Sequence, residues 1–234
     1  MIDIHTHILP DMDDGSEDED LSLQMLLREE AQHIDTVFLT PHFYADITDP
    51  DTFLDKRSKA LERLQSRIES KGQKVPDLYM GAEVHYYRGI GRSESVSKLC
   101  IGQSRFILIE PSFREWTTTL VDEIRELVNQ QDLKVIIAHI ERYLDQDKRL
   151  VRELIEDPSI LIQSNAEFFL DRGTRRKALK MMKKGQIDLL GSDCHNLDSR
   201  IPCLRDAVEL IENELGPDVL EQVRYNNEML LKEV

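Results

Sequence analysis

The chain has 234 residues, 40% of them hydrophobic and 32% charged, enough apolar material for one full core and too much for a disordered chain. Its 45 acidic residues against 30 basic ones leave a formal charge of −15, which argues against a nucleic-acid backbone as the main partner because phosphate-binding surfaces are basic. No apolar run is long enough to insert stably in a bilayer, the first strand stands where a signal peptide would, and Cys100, Cys194 and Cys203 form no Cys-x-x-Cys pair, so a cytoplasmic protein with reduced thiols is expected.

In chain order, short apolar runs alternate with segments of helical period. Met1 to Ile4 alternates like a strand and runs into His5-Thr6-His7, whose two imidazoles share a face because side chains two apart on a strand do. Asp18 to Ile34 reads as a helix, and Thr36 to Leu39 as a buried strand entering Thr40-Pro41-His42. A helix over Asp51 to Lys71, stopped by Gly72, precedes a strand from Leu78 to Ala82 that enters Glu83. Phe106 to Ile109 enters Glu110 and is stopped by Pro111. A helix over Thr118 to Gln130 leads to the strand Lys134 to Ala138, which enters His139. A short strand, Leu161 to Gln163, ends near Asn165, and a basic helix follows around Arg175 to Lys184. Ile187 to Gly191 leads into Ser192-Asp193-Cys194-His195, and Cys203 to Glu214 and Pro217 to Lys232 read as closing helices.

Seven strand-then-helix units without an internal repeat or linker predict one domain over residues 1–234, a distorted (β/α)7 barrel in the α/β class. In such a barrel the chemistry gathers at the carboxyl ends of the strands. Those ends here carry His5, His7, His42, Glu83, Glu110, His139, Asp193 and His195, which is five of the seven histidines, with only His33 and His85 elsewhere. Any one of them alone fits a polar strand cap. Together they would leave two buried glutamates unpaired, which is expensive, whereas a multi-metal site explains both the clustering and the charge. Imidazole and carboxylate donors without thiolate suit Mn²⁺, Fe²⁺ or Zn²⁺, and a carboxylate such as Glu83 can bridge two ions. With Asp14 included, four carboxylates against three divalent ions leave a positive centre that attracts a phosphate dianion.

The motifs Ile2-Asp3-Ile4-His5-Thr6-His7, Asp13-Asp14-Gly15, Thr40-Pro41-His42, Gly81-Ala82-Glu83, Ile109-Glu110, Ile137-Ala138-His139-Ile140-Glu141-Arg142-Tyr143 and Ser192-Asp193-Cys194-His195-Asn196-Leu197-Asp198 resemble those of the polymerase-and-histidinol-phosphatase (PHP) superfamily. Within it the chain is most similar to the metal-dependent tyrosine-protein phosphatases of Gram-positive capsule and exopolysaccharide operons. The resemblance implies a (β/α)7 barrel with three metal ions, usually Mn²⁺. It places His5, His7, Glu83 and Asp193 on the first ion, Glu83, Glu110 and His139 on the second, and Asp14, His42 and His195 on the third. It also implies Arg142 and Arg200 as phosphate binders, a task that suits the planar guanidinium fork. The implied substrate is a phosphotyrosine-bearing protein, the tail of a bacterial tyrosine autokinase. Histidinol phosphate or another small phosphomonoester is the alternative substrate.

Two further features bear on mechanism. His85, Tyr86 and Tyr87 can line a pocket for an aromatic ring or simply pack within their loop. Cys194 to Arg200 has the Cys-x5-Arg spacing of cysteine-based tyrosine phosphatases, but the intervening residues include no glycine, and Asp193 and Asp198 oppose both a thiolate and a phosphate. Cys194 is therefore expected to be a packing residue beside two ligands.

Overall fold

The computed structural model describes residues 1–234. Every strand pairing in it is parallel, as alternation of strands with helices requires. β1 (Ile2–Thr6) pairs with β2 (Thr36–Leu39), and β2 with β4 (Asp77–Met80). β3 (His42–Phe43) pairs with β5 (Glu83–His85), β5 with β6 (Phe106–Glu110), and β6 with β7 (Lys134–Ile137). β8 (Ile160–Asn165) joins β7 to β9 (Leu189–Gly191). His7 N–H donates to the Cys194 carbonyl at 2.9 Å and Asp193 N–H to the His5 carbonyl at 2.8 Å, which brings the end of β9 back against β1.

These nine segments make seven staves, because β2 and β3 are one stave and β4 and β5 another. Pro41 and Gly81 interrupt them without ending the ladder. Thr40 N–H still reaches the Thr6 carbonyl at 2.9 Å, Gly81 N–H the Leu39 carbonyl at 2.8 Å, and Glu83 N–H the Pro41 carbonyl at 3.1 Å. The result is a curled parallel sheet forming the expected distorted barrel. Part of the distortion lies between β4 and β6, where residues 101–102 wedge in: Gly102 N–H bonds the Met80 carbonyl at 2.7 Å and Ile101 N–H the Phe106 carbonyl at 2.8 Å.

The helices lie in the connections. α1 (Glu19–Ala31) starts where the Asp18 carboxylate accepts from Leu21 N–H, and α2 (Pro50–Lys71) where Asp49 caps it and Pro50 opens it. Gly72 ends α2 in the left-handed conformation, φ +59°, as the sequence indicates. α3 (Thr118–Gln131) follows β6. Two short helices, α4 (Lys148–Ile155) and α5 (Ala166–Leu170), are absent from the sequence reading. α6 (Arg175–Lys183) is the basic helix, α7 (Leu204–Leu215) follows β9, and the expected last helix divides into a tight turn at Pro217–Leu220 and α8 (Glu221–Leu231). Ile4, Phe38, Leu108, Ile136 and Leu189 from different staves pack together with Leu230 of α8, while a 49-residue cluster fills the layer between sheet and helices. No helix is long and apolar enough to cross a membrane. Burial of this kind fixes the staves rigidly, so the residues just beyond their ends are held in place.

Candidate metal centre

All nine proposed ligand residues reach one region at the carboxyl ends of the staves. His5 Nε2 and His7 Nε2 stand 3.2 Å apart, each is 3.2 Å from Glu83 Oε2, and they are 3.6 and 3.4 Å from Asp193 Oδ1. Two donors each about 2.1 Å from one ion, separated by roughly 90–110°, lie about 3.0–3.4 Å apart, so this spacing fits a shared ion. Glu83 Oε1 is 2.7 Å from His139 Nε2, which is also 3.5 Å from Glu110 Oε1. His42 is shared between two groups, with Nδ1 2.9 Å from Glu83 Oε2 and 3.9 Å from Glu110 Oε2, and Nε2 3.6 Å from Asp14 Oδ1. His195 Nε2 completes the latter group at 3.4 Å from Asp14.

A test of whether the residues suit a metal comes from their hydrogen bonds. His42 Nδ1, Glu83 Oε2 and His195 Nε2 are buried and have no hydrogen-bond partner, although carboxylate oxygens or imidazole nitrogens lie within 4 Å of each. Buried polar atoms left this way are rare and costly. Their lone pairs converge instead on shared points, as ligands do, so the residues fit divalent cations.

The backbone shows how the sequence builds this. Ile136 and Ala138 belong to one cluster inside the staves, so plain alternation would turn His139 away. His139 adopts φ +29°, ψ +59°, and its imidazole comes back to Glu83. Asp193 is also left-handed, at φ +54°. Non-glycine residues hold that conformation at a cost of about 1–3 kcal/mol, which the surrounding packing must over-determine. β1 shifts register between Asp3 and Thr6, next to His5. After β1 the chain doubles back on His7: Ser16 N–H bonds the His7 carbonyl at 3.0 Å, and a Cβ on Gly15 would sit 2.2 Å from that same oxygen. Only glycine permits this approach.

That loop delivers Asp13, a residue the sequence reading passed over in favour of Asp14. Asp13 Oδ2 accepts from His7 Nδ1 at 2.7 Å and from His42 N–H at 2.8 Å. Gln163 was passed over as well: its Oε1 accepts from His5 Nδ1 at 3.2 Å and from His139 N–H at 2.7 Å. His195 Nδ1 donates to the Asp193 carbonyl at 2.9 Å. Each bond holds the proton on Nδ1 and frees Nε2 toward the centre, the usual way a protein orients a ligating imidazole. Asn165 Nδ2 donates to Asp193 Oδ2 at 2.7 Å. His85, set apart from the strand ends in the sequence reading, in fact ends β5 and holds Glu110 Oε2 through Nδ1 at 2.8 Å.

Electrostatics follow from this packing. Burial works against the charge of Glu83, but His5 and His139 outweigh it and hold the carboxyl well below its ordinary range; His5 and His7 do the same for Asp193. Burial also opposes protonation of His7, yet the Asp13 carboxylate raises its pKa well above the ordinary value. Burial, reinforced by His7, pushes His195 down to about 3. Arg142 and Arg200 reach the same centre: Arg142 Nη2 pairs with Asp193 Oδ2, and Arg200 Nη2 lies 2.9 Å from Asp193 Oδ1. Each side chain remains about a third exposed, at 33% and 30%, so both guanidinium groups face the mouth.

The other expected features separate. Tyr86 donates to Glu123 at 2.7 Å, away from the centre, and Tyr87 packs against the core. Cys194 is fully buried, and its sulfur lies 3.8 Å from Glu29 Oε1; burial and the carboxylates of Glu29 and Asp3 push its thiol far above the ordinary value. It is a packing residue, without the exposed thiolate a nucleophile needs.

Fold and site together define a parallel α/β barrel with a histidine–carboxylate cluster of the kind that can hold several divalent ions. The chain belongs to the CpsB/CapC family of capsular polysaccharide synthesis proteins, whose model matches residues 1–232. It is 28% identical over 244 residues to the tyrosine-protein phosphatase CpsB of Streptococcus pneumoniae, covering 97% of this chain and 96% of that one. It is 26% identical to the tyrosine-protein phosphatase YwqE of Bacillus subtilis, over 99% and 92% of the two chains. The fold matches a crystal structure from a study of YwqE and CpsB, described there as metal-dependent tyrosine phosphatases, with a TM-score of 0.84 at 24% identity, over 100% of this chain and 95% of the other.

Proposed function

We propose that this protein is a metal-dependent phosphomonoester hydrolase that dephosphorylates phosphotyrosine in proteins. The observation that carries the reading is the convergence of eight imidazole and carboxylate side chains in three overlapping groups, with His139 2.7 Å from Glu83 beside them, and buried ligand atoms that no hydrogen bond satisfies. Membership of a family whose members include tyrosine-protein phosphatases supports the substrate class. We further assign three ions, Mn²⁺ by preference, held by His5, His7, Asp14, His42, Glu83, Glu110, His139, Asp193 and His195. Glu83 would serve two of these ions, since Oε2 lies by His5, His7 and His42 and Oε1 by His139. The physiological substrate is the tail of a tyrosine autokinase, met in the cytoplasm.

Bound divalent ions supply an activated water and neutralise charge on the phosphoryl oxygens. The chain's own residues do the rest. Asp13, Gln163 and the Asp193 carbonyl fix the protons of His7, His5 and His195 on Nδ1. Asp193 holds Arg142 and Arg200 side by side, so their remaining N–H groups meet an entering phosphoryl group in two forks. A phenolate leaving group has a pKa of about 10, well below an alkyl alcohol, and needs little help from a general acid.

The test compares substrates. With Mn²⁺ supplied, the purified protein should hydrolyse phosphotyrosyl peptides with a kcat/KM far above that for histidinol phosphate. The reverse preference would move the assignment to a small-molecule phosphatase on the same centre.

A further inference from the structure

Three large apolar side chains are strongly exposed, Ile47 at 76%, Phe113 at 56% and Tyr225 at 56%. Single exposed apolar residues are ordinary, but two of these three stand beside different ligands of the centre, Phe113 by His139 and Ile47 by His42. Phe113 lies over His139, with ring centroids 6.4 Å apart and planes within 17°, and against Tyr143 at 5.4 Å. Its loop is pinned from beneath: Trp116 packs on Tyr143 at 5.2 Å, donates its indole N–H to the Ser112 carbonyl at 2.9 Å, and donates its backbone N–H to Gln146 Oε1 at 3.0 Å. By the other ligand, Tyr44 lies against His42 at 5.2 Å and His85 at 5.4 Å. The turn that carries Ile47 closes onto the Tyr44 carbonyl through Ile47 and Thr48 N–H at 3.0 and 3.1 Å. Tyr44, Ile47 and Met12 line a cavity of about 270 Å³ that opens beside His42 and Asp13.

We propose that Phe113 on one side, and Tyr44 with Ile47 on the other, form a slot that receives the phenyl ring of the substrate while its phosphoryl group rests at the centre. The proposal rests on the phosphatase reading above and names the groups that make the site choose tyrosyl over alkyl esters. Apolar and aromatic walls gain from burying a ring and return nothing to an alkyl ester. Phe113 rests on Tyr143, which Trp116 backs, and Tyr44 on two histidines, so little ordering entropy opposes binding.

The experiment uses the Mn²⁺-loaded protein, a phosphotyrosyl peptide and glycerol phosphate as the alkyl ester. In Phe113→Ala the preference for the aryl ester, taken as the ratio of the two kcat/KM values, should fall about tenfold, mostly through KM. Metal content and melting temperature should stay at wild-type values, and Phe113→Trp should restore the preference. Ile47→Ala should lower the ratio less, and the double variant more than either. Binding of a peptide carrying a non-hydrolysable phosphonate analogue of phosphotyrosine, measured by calorimetry, should weaken in parallel. If Phe113→Ala does not fold, Phe113→Leu carries the same comparison. An unchanged ratio in the variants of an active wild type, or equal loss on both esters, overturns the slot while leaving the phosphatase reading intact. A wild type that hydrolyses no phosphotyrosyl peptide overturns both.

Discussion

Replacing Asp13 with Asn removes one charge and almost no volume, so it isolates the carboxylate's role. Asp13 accepts three hydrogen bonds: Oδ2 takes His7 Nδ1 at 2.7 Å and His42 N–H at 2.8 Å, and Oδ1 takes Gly15 N–H at 3.0 Å. An amide has one accepting end, so one face must turn its own N–H groups toward a donor. The less damaging choice keeps His7 and His42 and abandons Gly15. That costs about 1.5–3 kcal/mol, the range for a hydrogen bond to a charged group. The same change strips His7 of the anion that makes its Nε2 a better donor. Loss of such a supporting carboxylate typically weakens metal binding about 10–100-fold. Calorimetric titration of the metal-free protein with Mn²⁺ should therefore show a weakening of that size in Asp13→Asn, with the melting temperature of the metal-free form lowered by several degrees. Mn²⁺ affinity equal to wild type in a folded Asp13→Asn protein would refute the view that Asp13 orients His7.

Other outcomes follow from the same geometry. Arg142→Lys and Arg200→Lys keep the charge but lose the fork, so phosphatase kcat/KM should fall at least tenfold while metal content stays near wild type; equal loss of stability and activity would mark them as structural ion pairs of Asp193. Burial pushes Cys100 up to about 11 and Cys203 to about 12, and Cys194 lies far above its ordinary value, so at pH 8 only about one Cys100 thiol in a thousand is ionised. Iodoacetamide should label the native protein far more slowly than the unfolded one, and Cys194→Ser should retain turnover; thiol-dependent activity would contradict this. Asp188, whose Oδ2 accepts from Ile162 N–H at 2.9 Å, has its pKa raised above 3.8 by burial. The folded state thus holds that proton more tightly than the unfolded chain, and its contribution is lost as pH rises from about 3.8 through the raised value. Asp188→Asn should flatten the stability-versus-pH curve in that window, and an unchanged slope would count against it.

Much of the site was legible because strand ends in a barrel are marked by apolar runs that stop abruptly at polar residues. His42, Glu83, Glu110, His139 and Asp193 were read in that way, and the structure brings them together. What escaped depends on local backbone geometry. Asp13 and Asp14 are adjacent and chemically identical, and only the turn packed onto His7 through Gly15 decides that Asp13 faces inward while Asp14 stays 66% exposed at the rim. Gln163 and Asn165 lie two apart on β8 and share a face, but a neutral amide at a strand end carries no charge signal to distinguish it from a cap. His85 was set aside because the interruption at Gly81 hides that the stave runs on to residue 85. Tyr86 could be read from nearness in sequence either as lining a ring pocket or as packing in its loop, and it packs away from the centre; the aromatic groups beside the centre, Tyr44 and Phe113, come from two other loops. α5 has only five residues and α4 eight, too short for period alone to separate helix from loop with ease.

The most direct test of the central claim joins metal content to turnover on one preparation. Protein freed of metal by exhaustive chelation should lose hydrolysis of a phosphotyrosyl peptide and regain it on addition of Mn²⁺, with more than one ion bound per chain by elemental analysis. Glu83→Ala, which removes the carboxylate lying within 3.2 Å of imidazoles on three staves, should bind fewer ions and recover little activity. Full turnover by a protein shown to contain no metal would contradict the account.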